Sequence, residues 1–264
     1  MSIKGKRIII PGADFSALRI ISETKRSIPM LSVAKTFDTS SDTFSSNSIR
    51  AIVYGNFKKG EVLEYDNPDS SFDNKMCIFR LEDRSTPKFF DGKSPESEHY
   101  VSTSRAYEYG THEFSEDGRF MGILRDTLND LTRDFSPYAS FGLFKLTKKY
   151  EIGKPFPIYA YFGTYTTNTS SLIWGSDIRA IAVLDLKIGD TVESAVPDDI
   201  KFNVVRIADN THCTYDSMLA NDFVTTKWTS DKDQRVLVVA RSDSSPNGSV
   251  SSDPENVFRV TFNS

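Results

Sequence analysis

The chain has 264 residues, a net charge of −4 with both signs mixed along it, and 38% hydrophobic and 12% aromatic residues. That length accommodates two domains of ordinary size, each able to bury its own core. No basic stripe is visible, which argues against nucleic acid as a partner, and no apolar run approaches the length of a membrane span.

Phe, Tyr, Val, Ile, Thr and Ser are frequent, a composition that favours strands over helices. Residues 3–10 are predicted to form the first strand. Their basic start and Ile8-Ile9-Ile10 imitate a signal peptide, but Pro11-Gly12 ends the apolar run early and no small-residue cleavage site follows. No export signal is therefore expected. The Ser/Thr/Asp-rich stretch 36–48 reads as a loop.

The stretch that organises the rest is Ser48-Ile49-Arg50-Ala51-Ile52-Val53-Tyr54, because it returns as Asp177-Ile178-Arg179-Ala180-Ile181-Ala182-Val183, at an offset of 129. Lys58, Gly60 and Glu64 match Lys187, Gly189 and Glu193 at that same offset. After a three-residue slip, Lys75, Arg80 and Asp83 match Lys201, Arg206 and Asp209. Arg119 and Arg125 match Arg235 and Arg241, and Phe144 to Thr147 match Phe258 to Thr261. An internal repeat decides the architecture before any other signal. Within each copy, short apolar stretches alternate with Gly, Asp-Gly and Pro turns every eight to twelve residues, the pattern of an antiparallel sandwich or barrel.

The expected fold is therefore all-β: two tandem antiparallel sandwiches of jelly-roll or Ig-like type, related by internal duplication. Residues 1–148 hold an N-terminal strand segment and the first sandwich, and residues 149–264 the second. Residues 126–133 alone carry a short helical spacing. Lys148 to Pro157, with Gly153 and two prolines, reads as a stiff extended bridge, and Ile158 to Phe162 takes the place that residues 28–37 fill in the first copy.

The stretch Ile9-Ile10-Pro11-Gly12-Ala13-Asp14-Phe15-Ser16-Ala17 resembles an N-terminal signature of virion proteins from phages of Bacteroides-type gut bacteria, the crAss-like phages among them. Residues 189–243, from Gly189-Asp190-Thr191-Val192 to Arg241-Ser242-Asp243, resemble a β-sandwich module of their head-fibre, tail-associated and cell-surface proteins. Arg235, Arg241 and Asp243 match its closing strand, as Arg119 and Arg125 do in the first copy. The module's exposed Trp loop falls at Trp228, where the first copy has Phe114 nearby instead. The resemblance implies a structural component of a virion, made in the host cytoplasm: capsid-decorating, head-fibre or tail-associated. Its partners would be other virion proteins and, by weak adhesion, host surface glycans; homotrimers and capsid-bound monomers both fit. A glycan-binding surface adhesin of a gut bacterium is the alternative.

No enzyme motif emerges. His99, His112 and His212 lie in polar, turn-like segments outside any known catalytic context, and no cofactor is expected. Cys77 and Cys213 occupy non-equivalent places and read as small fillers near strand ends. Residues 243–253 mimic an EF-hand loop but have Pro254 where its bidentate Glu belongs, so a polar hairpin and no metal are expected. Trp228, Trp174, Tyr161 and Tyr165 are candidates for an aromatic platform that stacks on sugar rings. Arg119 with Arg125, and Arg235 with Arg241, are six residues apart and share a strand face. They read as a row of solvent-facing charges or as a contact for an acidic partner.

Overall fold

The computed structural model describes residues 24–38, 43–45, 47–66, 71, 73–83, 98–100, 110–128, 134, 142–166, 171–173, 179–214, 223–244, 248–250 and 254–264. These residues are all-β: strands with one 3-10 turn at Pro254–Asn256 and no α-helix among them. The N-terminal signature at residues 9–17 lies outside the described residues, as does most of the 126–133 stretch, whose Asp126 ends a strand.

The first half of the chain forms β1 (Thr24–Met30), β2 (Val33–Ala34), β3 (Thr36–Asp38), β4 (Thr43–Ser45), β5 (Ala51–Phe57), β6 (Val62–Tyr65), β7 (Asn74–Asp83), β8 (Glu98–Tyr100), β9 (His112–Glu113), β10 (Gly118–Asp126) and β11 (Phe144–Tyr150). The second forms β12 (Pro155–Ile158), β13 (Tyr161–Thr166), β14 (Ser171–Ile173), β15 (Arg179–Leu186), β16 (Thr191–Ser194), β17 (Ile200–Arg206), β18 (Thr211–His212), β19 (Lys227–Thr229), β20 (Gln234–Ser242) and β21 (Phe258–Thr261). They assemble into sheets of order β1-β11-β6-β9, β2-β5-β10-β7-β8, β14-β13-β15-β20-β17-β18 and β12-β21-β16-β19. The stretch 36–48, expected to be a loop, instead contains the hairpin β3–β4. Its Thr and Phe residues have the strand preference that the polar Ser and Asp residues around them obscured.

The two halves pair their strands in matching register. Gly122 lies between Val53 and Ile78, and Val238 lies between Ala182 and Val204. Leu63 faces Leu146 and His112, and Val192 faces Val260 and Trp228. Met30 pairs with Phe144 and Ile158 with Phe258. Val33 pairs with Ile52 and Tyr161 with Ile181.

β5 and β15 read as nearly continuous apolar runs because they are buried on both faces, where a strand with one wet face would alternate. One face of β15, β17 and β20 (Ala182, Leu184, Phe202, Val204, Val236, Val238) packs on Val192, Phe258 and Val260 of the neighbouring four-stranded sheet. Their other face (Ile181, Val183, Val205, Leu237, Val239) joins a cluster with Ile52, Tyr54, Phe79, Met121 and Ile123 of the first half. The Tyr54 and Tyr161 rings meet edge to face there, 6.1 Å between centroids.

The passage at 148–157 is not one extended bridge. β11 runs to Tyr150, a turn closed by Lys154 N–H to Glu151 C=O (3.1 Å) follows, and β12 begins at Pro155. Gly153, at φ 73°, lets the chain turn where the prolines alone suggested stiffness. Tyr150 packs on Phe156 and Phe262, inside the core of the second half.

Candidate functional site

One tight turn that occurs in both halves fixes several polar side chains by hydrogen bonds. In Lys187-Ile188-Gly189-Asp190, the Asp190 N–H donates to the Lys187 C=O (3.0 Å) and Gly189 sits at φ 86°, a conformation that L side chains resist. Asp190 Oδ2 accepts from Lys187 N–H at 2.9 Å, and Ile188 N–H donates to Asp233 at 2.9 Å. The first half repeats this bond for bond. Glu61 N–H donates to Lys58 C=O (3.0 Å), Lys58 N–H to Glu61 Oε2 (3.0 Å) and Lys59 N–H to Asp117 (2.8 Å). The hydrogen bond from the Lys59 N–H holds the Asp117 carboxyl below its ordinary range.

The two acids then take different cations. Glu61 pairs with Lys148 of its own half at 3.2 Å. Asp190 has a fully buried side chain and pairs with Arg26 of the other half at 2.9 Å. Arg26 also donates to the Asp185 carbonyl at 2.7 Å and lies 3.8 Å from the centre of the Phe262 ring. Nearby, Arg235 clasps both Asp185 oxygens, at 2.6 and 2.8 Å, and these bonds raise its pKa. Gly142 leaves the space that Arg235 enters: a Cβ there would sit 2.7 Å from its Nη1.

The arginines singled out in the sequence are thus half-buried rather than a solvent-facing row. Arg119 stands opposite Asn56, while its counterpart Arg235 stands opposite Asp185. Arg125 faces Lys75 and Arg241 faces Lys201, cations directly across the ladder in both halves. Lys201 is ion-paired with Asp243.

Trp228 is on the edge strand β19 rather than in an exposed loop. It is half-buried, stands opposite the buried Val192 and packs on the second core. Its register counterpart is His112, whose ring meets Phe114 edge-on at 4.9 Å, while Phe114 itself is buried against Phe57. Tyr161 is buried beside Tyr54 and Tyr159, and burial first, then Tyr54, raises its pKa well above the ordinary value. Trp174 and the Tyr165 side chain lie outside the described residues. Trp228 and Tyr161 therefore do not share a surface: one caps a core edge and the other fills the interior.

The histidines are on short edge strands, β8, β9 and β18, rather than in turns, and His112 and His212 are half-buried. Cys77 is buried in the middle of β7, not near its end, and Cys213 is half-buried, with burial first pushing its thiol pKa up. That is the direction opposite to an activated thiolate. Asp243 and Ser244, the start of the EF-hand mimic, are engaged with Lys201 and Asp199. Among the described residues no group of three His, Cys, Asp or Glu could hold a metal.

Sequence reasoning missed Arg26, Asp185, Asp190 and Asp199. Asp190 had a readable signal, since an acid closing a Lys-x-Gly-x turn recurs as Glu61. The Arg26 contact had none, because it joins residues 164 positions apart.

No protein-family model matches the chain, and no curated protein matches it. Among solved structures, the M60 catalytic domain with the CBM51-1 and CBM51-2 domains from Clostridium perfringens ZmpB is 11% identical at a TM-score of 0.21. The match covers 80% of this chain and 33% of that one, so the chain spans about a third of its length. A likeness of that size carries no argument about fold or activity.

Proposed function

We propose that the chain is a structural component of a bacteriophage virion, capsid-decorating, head-fibre or tail-associated, built from two antiparallel sandwich modules copied from one. It works through protein–protein contacts with other virion proteins. The observation that carries the module part is the agreement of strand register and turn hydrogen bonds between the halves. The register pairs Gly122 with Val53 and Val238 with Ala182, and the same acid-closed turn follows β5 and β15. Coinciding ladders and turns support one ancestral unit more strongly than either half's sequence does.

The virion role rests on the resemblance of residues 9–17 and 189–243. Arg26, Arg235, Lys148 and Lys201 each hold a carboxylate of the same chain. Weak adhesion to host glycans would use what the half-buried Trp228 leaves exposed on edge strand β19.

Peptides of this chain in the mass spectrum of washed, gradient-purified particles are the expected result, and their absence removes the virion role. On a glycan array, retention lost in Trp228→Ala would instead favour the surface-adhesin reading.

A further inference from the structure

The face through which the two halves meet is the same face of each. Ile52, Tyr54, Phe79, Met121 and Ile123 of the first half share one cluster with Ile181, Val183, Val205, Leu237 and Val239. By ladder position these are pairwise equivalents: Ile52 and Ile181 stand next to Val33 and Tyr161, and Ile123 and Val239 stand across from Cys77 and Asn203. When two like faces cover each other they are related by an approximate two-fold, the isologous arrangement of a symmetric dimer. Here that dimer is held inside one chain.

Such a face does not distinguish the half attached to it from the same half of another molecule; only the connection does, by setting an effective concentration. The connection is short: Glu151 to Lys154, all four exposed, with Gly153 N–H bonded to Phe262 C=O at 2.8 Å. From this two-fold face and four-residue hinge we infer that the chain exchanges halves with a second copy of itself, the first half of each molecule packing on the second half of the other. Arg26–Asp190, the ion pair that joins the halves, would re-form unchanged across the exchanged interface. The inference rests on the two-module part of the proposed function, not on the virion role.

The test uses the full chain in two hinge variants: one lacking Ile152 and Gly153, and one with a flexible Gly/Ser insertion after Gly153. Shortening obstructs closure within one molecule, and lengthening eases it. Light scattering after refolding should give the shortened variant twice the 29.7 kDa chain mass, with mixed dimers when tagged and untagged chains are refolded together. The lengthened variant should stay at single-chain mass, with a dimer fraction lower by about tenfold or more. A shortened variant that remains a folded monomer, or that gives only aggregates of undefined size, overturns the exchange, as does equal dimerisation of both variants. Those results leave the virion assignment to its own particle test, and the module reading to superposition of the halves.

Discussion

The two halves fill the same three-strand row with different side chains. In the first, Val53, Gly122 and Ile78 stand side by side under Leu63; in the second, Ala182, Val238 and Val204 stand under Val192. A Cβ on Gly122 would come 3.0 Å from Leu63 and 3.1 Å from Val53. Where the second half has the larger Val238, it has the smaller Ala182 and Val192. What is kept between the halves is therefore volume at a given depth, with the residue at each position free to change.

The largest expected difference concerns the turn acids. Asp190 has no exposed surface and its partner Arg26 only 14%, so Arg26→Ala strands a buried carboxylate. Chemical denaturation should show a loss of about 3–5 kcal/mol. Lys148→Ala, at the equivalent acid Glu61, leaves a carboxylate that is 12% exposed and closer to water, and should cost about 1–2 kcal/mol. Equal losses would mean that the contact between halves is no more critical than the contact within one.

Next comes the row itself. Gly122→Val imposes on the first half the residue of the second without its accommodating neighbours and should cost about 1–3 kcal/mol by overpacking. Adding Leu63→Val and Val53→Ala should recover more than half of that loss. A triple variant less stable than the single one would show that the rows are not interchangeable, and would weaken the module reading directly.

The third contrast is at the edge strands. Trp228→Ala removes a half-buried ring from the second core and should lower stability by about 1–2 kcal/mol, less than the loss for a fully buried aromatic. His112→Ala, at the counterpart position, removes the edge-on contact with Phe114 and should cost about 0.5–1 kcal/mol.

The legible part of this chain was whatever repeats or alternates. Gly60 with Gly189 and Arg125 with Arg241 marked the same turn and the same closing strand in each half, which made the repeat legible. The burial of the arginines was not legible. Spacing places Arg235 and Arg241 on one face, but whether that face meets water or another sheet depends on the packing of the halves, which no local pattern encodes. Trp228 misled for a related reason: one residue along an edge strand separates a platform from a core cap. The hairpin β3–β4 was hidden by composition, its strand formers diluted by Ser and Asp.

The smallest effect separates the two turns that end β10 and β20. Asp243 N–H donates to Asp199 C=O and Thr127 N–H to Asp73 C=O, at 2.8 and 2.9 Å. The Asp199 carboxylate also accepts from Ser242 Oγ at 2.7 Å and Ser244 N–H at 2.8 Å. Desolvation alone would raise its pKa, but these bonds outweigh it and hold the carboxyl below the ordinary value of 3.8. A lowered folded-state pKa contributes stability that is fully present above the unfolded value and is lost as pH falls through the folded one. Asp199→Asn should therefore be less stable than the parent at pH 7, by under about 1 kcal/mol because solvent screens so open a site. The gap should narrow below pH ~4 and vanish once the parent's carboxyl is protonated. A gap that persists undiminished in acid would assign the loss to hydrogen-bond geometry rather than to charge, and the turn would then act like its neighbours in the backbone ladder.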